Sequence, residues 1–529
     1  MARINRRNEG RAGASHQEGA LREAGVSHGG RAPGAGASDA PEAASKDADA
    51  QAPAATDRVN RMGTGSIPKL AAEFAIPAIL GMVVNGAYNV IDSVFLGHGA
   101  GEIGLSAITV ATPTMTIFLA LAMLIGSGGN ALCALRLGEG KHDEAEHIMG
   151  NTAMLGIVAS VLLAVLAHVP FVVEPLLTIS SATDSVRPYA REFIQIISLG
   201  CVFQVLGMGL NNFIRTTGAP NRALVTMLIG AIGCTVFNAI FVLGLGWGVA
   251  GSAWATVCGQ AVSCVSVLWY FTKTPGVPLR LRRRYFPIKA KLARGILALG
   301  AASFAVQAAG AIVNFFINFM LVKYGSLDPI GADNALASVG VVQRIGMFVI
   351  LPLIGMSIAI QPLLGFNYGA KLWARVKTTL NVGVAGATVM GTLMWVAIMA
   401  FAPQIVGFFG IKEQTLVEFT AFALRVDLIF LPLIGFQIVG SNYFQATGQP
   451  AKSIILSLTR QILFLVPLLF ILPETLPHIA TMLDSLDAVY FAVPCADFLA
   501  AFTVLVFIVK ELRVLRRKAA DAEGVPNRA

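Results

Sequence analysis

Charge is what this chain has little of. Lys, Arg, Asp and Glu make up 13% of its 529 residues, whereas soluble domains carry roughly 25%. A water-soluble fold of this length could not cover its surface with so few charges, which excludes a cytosolic enzyme. The six cysteines (Cys133, Cys201, Cys234, Cys258, Cys264, Cys495) all lie in apolar stretches. No Cys-x-x-Cys pair or Cys/His cluster has ligand spacing, so no structural metal, cofactor or disulfide framework is expected. They read as small core residues. Histidine is sparse, and His98 and His478 fall in expected outer loops, so no buried histidine relay is expected. The net charge of +9 does not point to nucleic acid, because the surplus bases sit in short loops of an apolar chain, where they report orientation and contact with anionic lipid.

What is present is apolar. Hydrophobic residues make up 55% of the chain, the mean hydropathy is +0.69, and 54 Gly and 16 Met suit closely packed helices in lipid. Residues 1–65 differ: up to Ser66 there are nine Lys/Arg and eight Asp/Glu and no apolar period. This stretch reads as a disordered cytoplasmic tail. It holds no signal-peptide core, so the first span is expected to direct insertion. After Ser66 twelve segments of about 20 or more apolar residues follow, at 67–95, 105–135, 148–173, 190–216, 222–246, 249–272, 294–323, 335–365, 378–402, 420–446, 452–472 and 488–510. Several contain Pro (Pro77, Pro113, Pro352, Pro432, Pro467), which predicts tilted or bent helices. The loop at 273–294 carries eight Lys/Arg and no acid, and bases recur after the eighth and twelfth spans. The opposite loops are poor in bases, so both termini are placed in the cytoplasm.

The chain repeats itself after about 230 residues. Asn212-x4-Thr217-Gly218-x-Pro220 matches Asn442-x4-Thr447-Gly448-x-Pro450; Leu137-Gly138 matches Tyr368-Gly369; Trp254 to Cys258 matches Phe491 to Cys495. In the T-G-x-P turns Gly ends a helix and Pro follows the stop, so Gly218, Pro220, Gly448 and Pro450 read as structural. An offset of six spans gives both halves the same orientation, with a cavity between them. The expected fold is all-α: twelve transmembrane helices in two pseudo-symmetric six-helix bundles around a central cavity. The expected lobes are 66–275 and 294–515, joined by a basic linker at 276–293 and followed by a tail at 516–529.

A charge at mid-bilayer costs ~2.5 kcal/mol or more and marks a functional candidate. The first span has one, in the series Asn85, Tyr88, Asn89, Asp92. These positions (i, i+3, i+4, i+7) share a helix face, which is expected to line a pocket in the first half, with Asn85 and Asn89 as substrate-cavity residues. Asp92 can alternate between protonated and ionised forms as access switches, or hold Na+ with amide and hydroxyl oxygens. At the matching place the seventh span offers Gln307, Asn314 and Asn318, amides where the first half has an acid. Ion coupling is therefore expected mainly in the first half, with the amides and Gln361 lining a substrate cavity. Thr256 and Gln260 share a face of the sixth span, and Asn238 lies in the fifth. Arg460 and Asp497 read as structural residues that can pair, or Arg460 can snorkel to the cytoplasmic surface, while Asp427 and Glu73 are placed at the interface.

The ordered combination of Pro77…Tyr88-Asn-Val-Ile-Asp92…Gly97, Leu137-Gly138-Glu-Gly, Gly248-Val-Ala-Gly251-Ser-Ala-Trp-Ala-Thr256 and Gln361-Pro-Leu-Leu-Gly-Phe-Asn-Tyr-Gly369-Ala resembles the multidrug and toxic compound extrusion (MATE) family, most of all its prokaryotic branch. The likeness covers roughly 66–515. It implies a monomeric, multi-pass transporter of the bacterial inner membrane that exports cationic or amphipathic small organic molecules against H+ or Na+. Tyr88 and Asp92 match the family's first-span cation residues, and Thr256 matches a sixth-span one. The fifth-span Asn-x-x-x-Asp of many members is here Cys234-x-x-x-Asn238, which leaves one fixed acid instead of two and keeps the coupling ion open. Gln361 falls in the quoted eighth-span motif, and Pro77 is a candidate bend. A lipid-linked oligosaccharide flippase is the nearest alternative. It would be expected to carry several cavity bases, and the first, second, seventh and eighth spans offer only Arg344. A major-facilitator transporter lacks its loop signature here. No Ser/His/Asp set or phosphate-cradling Gly loop suggests an enzyme.

Overall fold

The computed structural model describes residues 57–180, 183–327, 330–408, 413–479 and 484–523, and among these it is helical. Eleven helices are long and apolar enough to cross a membrane, and a bent pair makes a twelfth. We number them α1 (Ile67–Gly101), α2 (Ile103–Gly138), α3 (His142–His168), α4 (Arg187–Thr216), α5 (Pro220–Gly244), α6 (Gly248–Lys273), α7 (Ala290–Gly325), α8 (Asn334–Gly369), α9 (Trp373–Phe408), α10 (Gln414–Asp427 plus Leu431–Ala446), α11 (Pro450–His478) and α12 (Ser485–Glu523). Each expected span overlaps one of them.

Breaks occur where the backbone demands them. Gly101 separates α1 from α2 with φ +60 and ψ −152, a conformation open to glycine and costly for a residue with a Cβ. The halves of α10 meet at 42° just ahead of Pro432, which sits in the first turn of the second half, where its missing N–H would have had no partner in the helix. At both T-G-x-P turns glycine is left-handed, with φ +78 at Gly218 and +77 at Gly448. At each, the next N–H reaches back to a carbonyl five residues earlier: Ala219 to Ile214, and Gln449 to Phe444. The repeat read from sequence is thus a repeat of backbone geometry.

One apolar core cluster draws only on residues 313–515, and another only on 96–257. A third is built mainly from the first half but takes in Ala359, Leu363 and Phe366 of α8. The halves meet where glycine lets backbones touch. A Cβ on Gly300 of α7 would run into the Leu124 carbonyl of α2, and one on Gly369 into the Leu135 carbonyl. Small residues at such crossings are how helices associate in lipid.

Two expectations about the chain ends need correction. Residues 57–64, assigned to a disordered tail, form a helix. Val59 and Met62 are buried, three residues apart on one face, and Arg375 donates to the Met62 and Gly65 carbonyls. The rest of that tail, 1–56, lies outside the described residues. At the other end α12 runs on to Glu523, through the start of the expected C-terminal tail. The Lys518 ammonium stacks over Tyr368 and Trp373. The basic linker is tied to α3: the Asn151 amide donates to the Tyr285 and Pro287 carbonyls and accepts from the Lys289 N–H at 2.7 Å.

Candidate functional site

Asp92 lies half-buried on α1, facing α5 and α6. Its Oδ1 accepts from Asn238 Nδ2 at 2.7 Å and from Ser252 Oγ at 3.3 Å. Both donors are fully enclosed. The Asn238 amide nitrogen also reaches the Cys234 carbonyl at 3.1 Å, and its own Oδ1 is buried without a partner. Directly after Asn238, α5 widens into a π-helical turn over Ala239–Gly244, a distortion that recurs at functional sites. The coupling residues named from sequence therefore converge, with a difference at Thr256. That hydroxyl is buried but makes no hydrogen bond to Asp92. Ser252, one turn earlier on α6, does so instead. The sequence carried a usable signal: Ser252 sits four residues before Thr256, on the same helix face.

Below this cluster a cavity of about 150 Å³ runs inside the first bundle, walled by Asn85, Tyr88, Gln204, Asn211, Arg215, Cys234, Thr256 and Gln260 among apolar residues that include Met82, Met123, Met208 and Met227. Asn85 and Tyr88 line it as expected. Asn89 does not: it is exposed, and its amide turns back onto the Asn85 carbonyl at 2.7 Å. One residue in a helix shifts the side chain by 100°, enough to take Asn89 off the wall.

The second bundle holds a cavity of about 310 Å³, which shares Met123, Asn212 and Ile358 with the first. Gln307 and Gln361 line it, as expected. Gln361 also accepts from Asn130 at 3.1 Å and donates toward Asn442, so it bridges the two halves. Asn314 and Asn318 are exposed and lie outside both cavity walls; Asn314 accepts from Gln343 on α8 at 3.0 Å. Sequence reading missed most of this wall: Gln437, Asn442, Gln445 and Gln461. Of these, Gln437 and Gln461 have buried amide oxygens without partners.

Arg460, also in that wall, pairs with Asp497 through its Nε. Asp427, expected at the interface, is half-buried just before the break in α10, close enough to Arg460 and Asp497 to feel both charges. Glu73 does sit near a surface, paired with Arg61 at 2.7 Å. Arg344, the one base expected inside the first, second, seventh and eighth spans, is exposed. Among the described residues, the bases in the cavity walls are Arg215 and Arg460. Pro77 lies within α1 without breaking it. No group of three or more His, Cys, Asp or Glu among the described residues has the geometry to hold a metal ion.

Two bundles related by repeat, each enclosing a polar-lined cavity, and a carboxylate held between helices define a membrane transporter and not an enzyme. Comparison with known proteins then gives the family: the chain belongs to the MatE family, whose model matches residues 77–241 and again 301–471, one match in each half. A multidrug export protein MepA from Staphylococcus haemolyticus is 24% identical over 448 residues, covering 85% of this chain and 94% of that protein. MepA of Staphylococcus aureus strain MRSA252 is 23% identical over 435 residues, covering 82% of this chain and 92% of its own. In fold, the chain superposes on a multidrug resistance MATE transporter solved in an outward-facing conformation, with TM-score 0.79, 24% identity, and 86% and 98% of the two chains covered.

Proposed function

We propose that this protein is a proton-driven exporter of amphipathic, often cationic organic compounds. It acts as a monomer in a bacterial cytoplasmic membrane, with both termini inside. Asp92 carries the reading. Among the described residues it is the only carboxylate at its site, and two donors, the Asn238 amide and the Ser252 hydroxyl, meet its Oδ1. A carboxylate so held alternates between ionised, with both donors engaged, and protonated on Oδ2. Sodium would need several oxygen acceptors around it. Turning the Asn238 oxygen toward Asp92 would also press it against the Cys234 carbonyl. The multidrug export activity named for the relatives fits the Met-rich, apolar cavity walls, since Met adapts to ligands of varied shape.

Transport then follows by alternating access. With the site open outward, Asp92 takes up a proton, α1 bends near Pro77 or its glycines, and substrate leaves. Return to the inward state releases the proton to the cytoplasm, and substrate reloads. A pyrophosphate-lipid flippase would gather several free bases; here Arg460 is already committed to Asp497.

The test is dye efflux from proteoliposomes under separately imposed proton and sodium gradients. A proton gradient alone should drive efflux, and Asp92→Asn should abolish it at equal incorporation. Efflux driven by sodium alone, or undiminished in Asp92→Asn, overturns the reading.

A further inference from the structure

Arg215 is the largest side chain enclosed within the protein, with 2% of its surface exposed. It sits near the end of α4, in the wall of the first-bundle cavity. A buried guanidinium ordinarily has a carboxylate beside it, because the cost of removing its charge from water must be offset. Arg215 has none among the described residues. Its Nη1 donates to Asn212 Oδ1 at 2.7 Å, its Nη2 reaches the Met227 sulfur at 3.3 Å, and its Nε has no partner. A guanidinium offers five N–H donors in a planar fork; here one strong acceptor and one weak one engage it.

The repeat shows that packing does not require the charge. At the matching register the second half has Gln445, equally buried. It is held by ordinary hydrogen bonds, donating to Ser127 at 3.1 Å, Ser303 at 3.1 Å and the Leu299 carbonyl at 2.8 Å. A neutral amide fills that place without strain, so the unpaired cation in the first half calls for another explanation.

We propose that Arg215 is the anion subsite of the first-bundle cavity and receives the carboxylate of an amphipathic substrate. The guanidinium fork matches a carboxylate in two-point fashion. The cavity gives such a ligand a second pole. Met227, beside Arg215, and Cys234, beside the Asp92 cluster, are seven residues apart on α5, roughly 10 Å at a helix rise of about 1.5 Å per residue. Met82, Met208 and Phe203 line the wall and suit an aromatic body. The substrate class is therefore zwitterionic: an acid at Arg215 and a cationic or hydrogen-bonding group toward Asn85 and Tyr88. This inference rests on the efflux reading and narrows it, since a site for organic cations alone has no use for a buried free base.

The experiment uses the full chain and a matched pair of probes, a carboxy-rhodamine and its methyl ester, which differ only in whether the phenyl carboxylate is free. Equilibrium binding to detergent-purified protein is followed by fluorescence anisotropy. Wild type should bind the free acid at least as tightly as the ester, and Arg215→Gln should shift the acid-to-ester preference about 10-fold toward the ester, the scale of a lost charge-assisted pair. Arg215→Lys should keep part of the preference. An ester preference of about 10-fold in wild type overturns the proposal without any variant, so a misfolded substitution cannot shield it. An unchanged ratio in folded Arg215→Gln, or no binding of either probe, overturns it as well. Gradient-driven efflux of the ester is measured in parallel. If it persists while the preference is absent, only this inference fails; if neither dye is exported, the efflux reading fails too.

Discussion

Asp92 shows how few atoms the transport reading needs. Its carboxylate is legible in the sequence as the lone acid on the polar face of an apolar span, and the i, i+3, i+4, i+7 series correctly puts Tyr88 and Asn85 on the cavity wall. The same series places Asn89 there wrongly, because a helix face is wider than a wall. Ser252 is the residue that was not singled out. A hydrogen bond to a charged group contributes about 1.5–3 kcal/mol. Ser252→Ala is therefore expected to slow proton-driven dye efflux severalfold at unchanged expression, and Ser252→Thr to restore most of it. If Ser252→Ala transports like wild type, the hydroxyl is incidental to coupling. Arg215 lies inside the very repeat that marks the two halves, in α4, outside the four spans whose bases bear on the flippase alternative. Burial without a partner is a property of packing, and no sequence pattern displays it.

The helices themselves respond to Gly, Pro and buried charge. In α11 a π-helical stretch over Thr459–Leu465 carries Arg460, which it presents to Asp497 on α12 and Asp427 on α10. Breaking one partner of a buried pair costs about 3–5 kcal/mol, whereas replacing both with apolar residues of similar size is often neutral or better. Asp497→Asn alone should thus lower the thermal midpoint of the purified protein clearly, and Arg460→Met with Asp497→Leu should recover most of the loss. A double variant less stable than the single would mean that the pair does more than satisfy itself. The crossing of α2 and α7 gives a second expectation. Gly300→Val puts a side chain into the Leu124 carbonyl, so the backbones must separate. Disulfide cross-linking of cysteines placed at Leu132 and Gly295, which face each other across this crossing, should fall sharply in that variant. The pattern of apolar runs predicted twelve spans and their approximate ends, because ~20 apolar residues in lipid leave the backbone no other way to satisfy itself. The ordered helix at 57–64 escaped the same reading, because a turn or two of helix beside a polar tail has too short an apolar period to stand out.

Across the whole molecule, two halves of one ancestry have diverged in chemistry. The first bundle holds a carboxylate and an unpaired guanidinium, and the second holds amides around a neutralised pair. The eight bases of the loop at 273–294 support the proposed orientation, with that loop in the cytoplasm. A cysteine introduced at Arg283, the native thiols being largely buried, should react with a membrane-impermeant maleimide in inside-out vesicles and be spared in intact cells. The reverse pattern would invert the topology and the direction of transport. The amino-acid sequence by itself determined the solvent, the number of crossings, the duplication and the candidate acid in the first span, because apolar length, spacing and rarity of charge are local or periodic properties. Only the tertiary structure decided which side chains share a cavity, that Asn314 and Asn318 do not, that Asp427 lies near Arg460 and Asp497 at a broken helix, and that Arg215 is enclosed without a counter-charge among the described residues. Those facts depend on how far each helix is rotated and where it bends. A rotation of one residue moves a side chain from wall to lipid while leaving hydropathy unchanged.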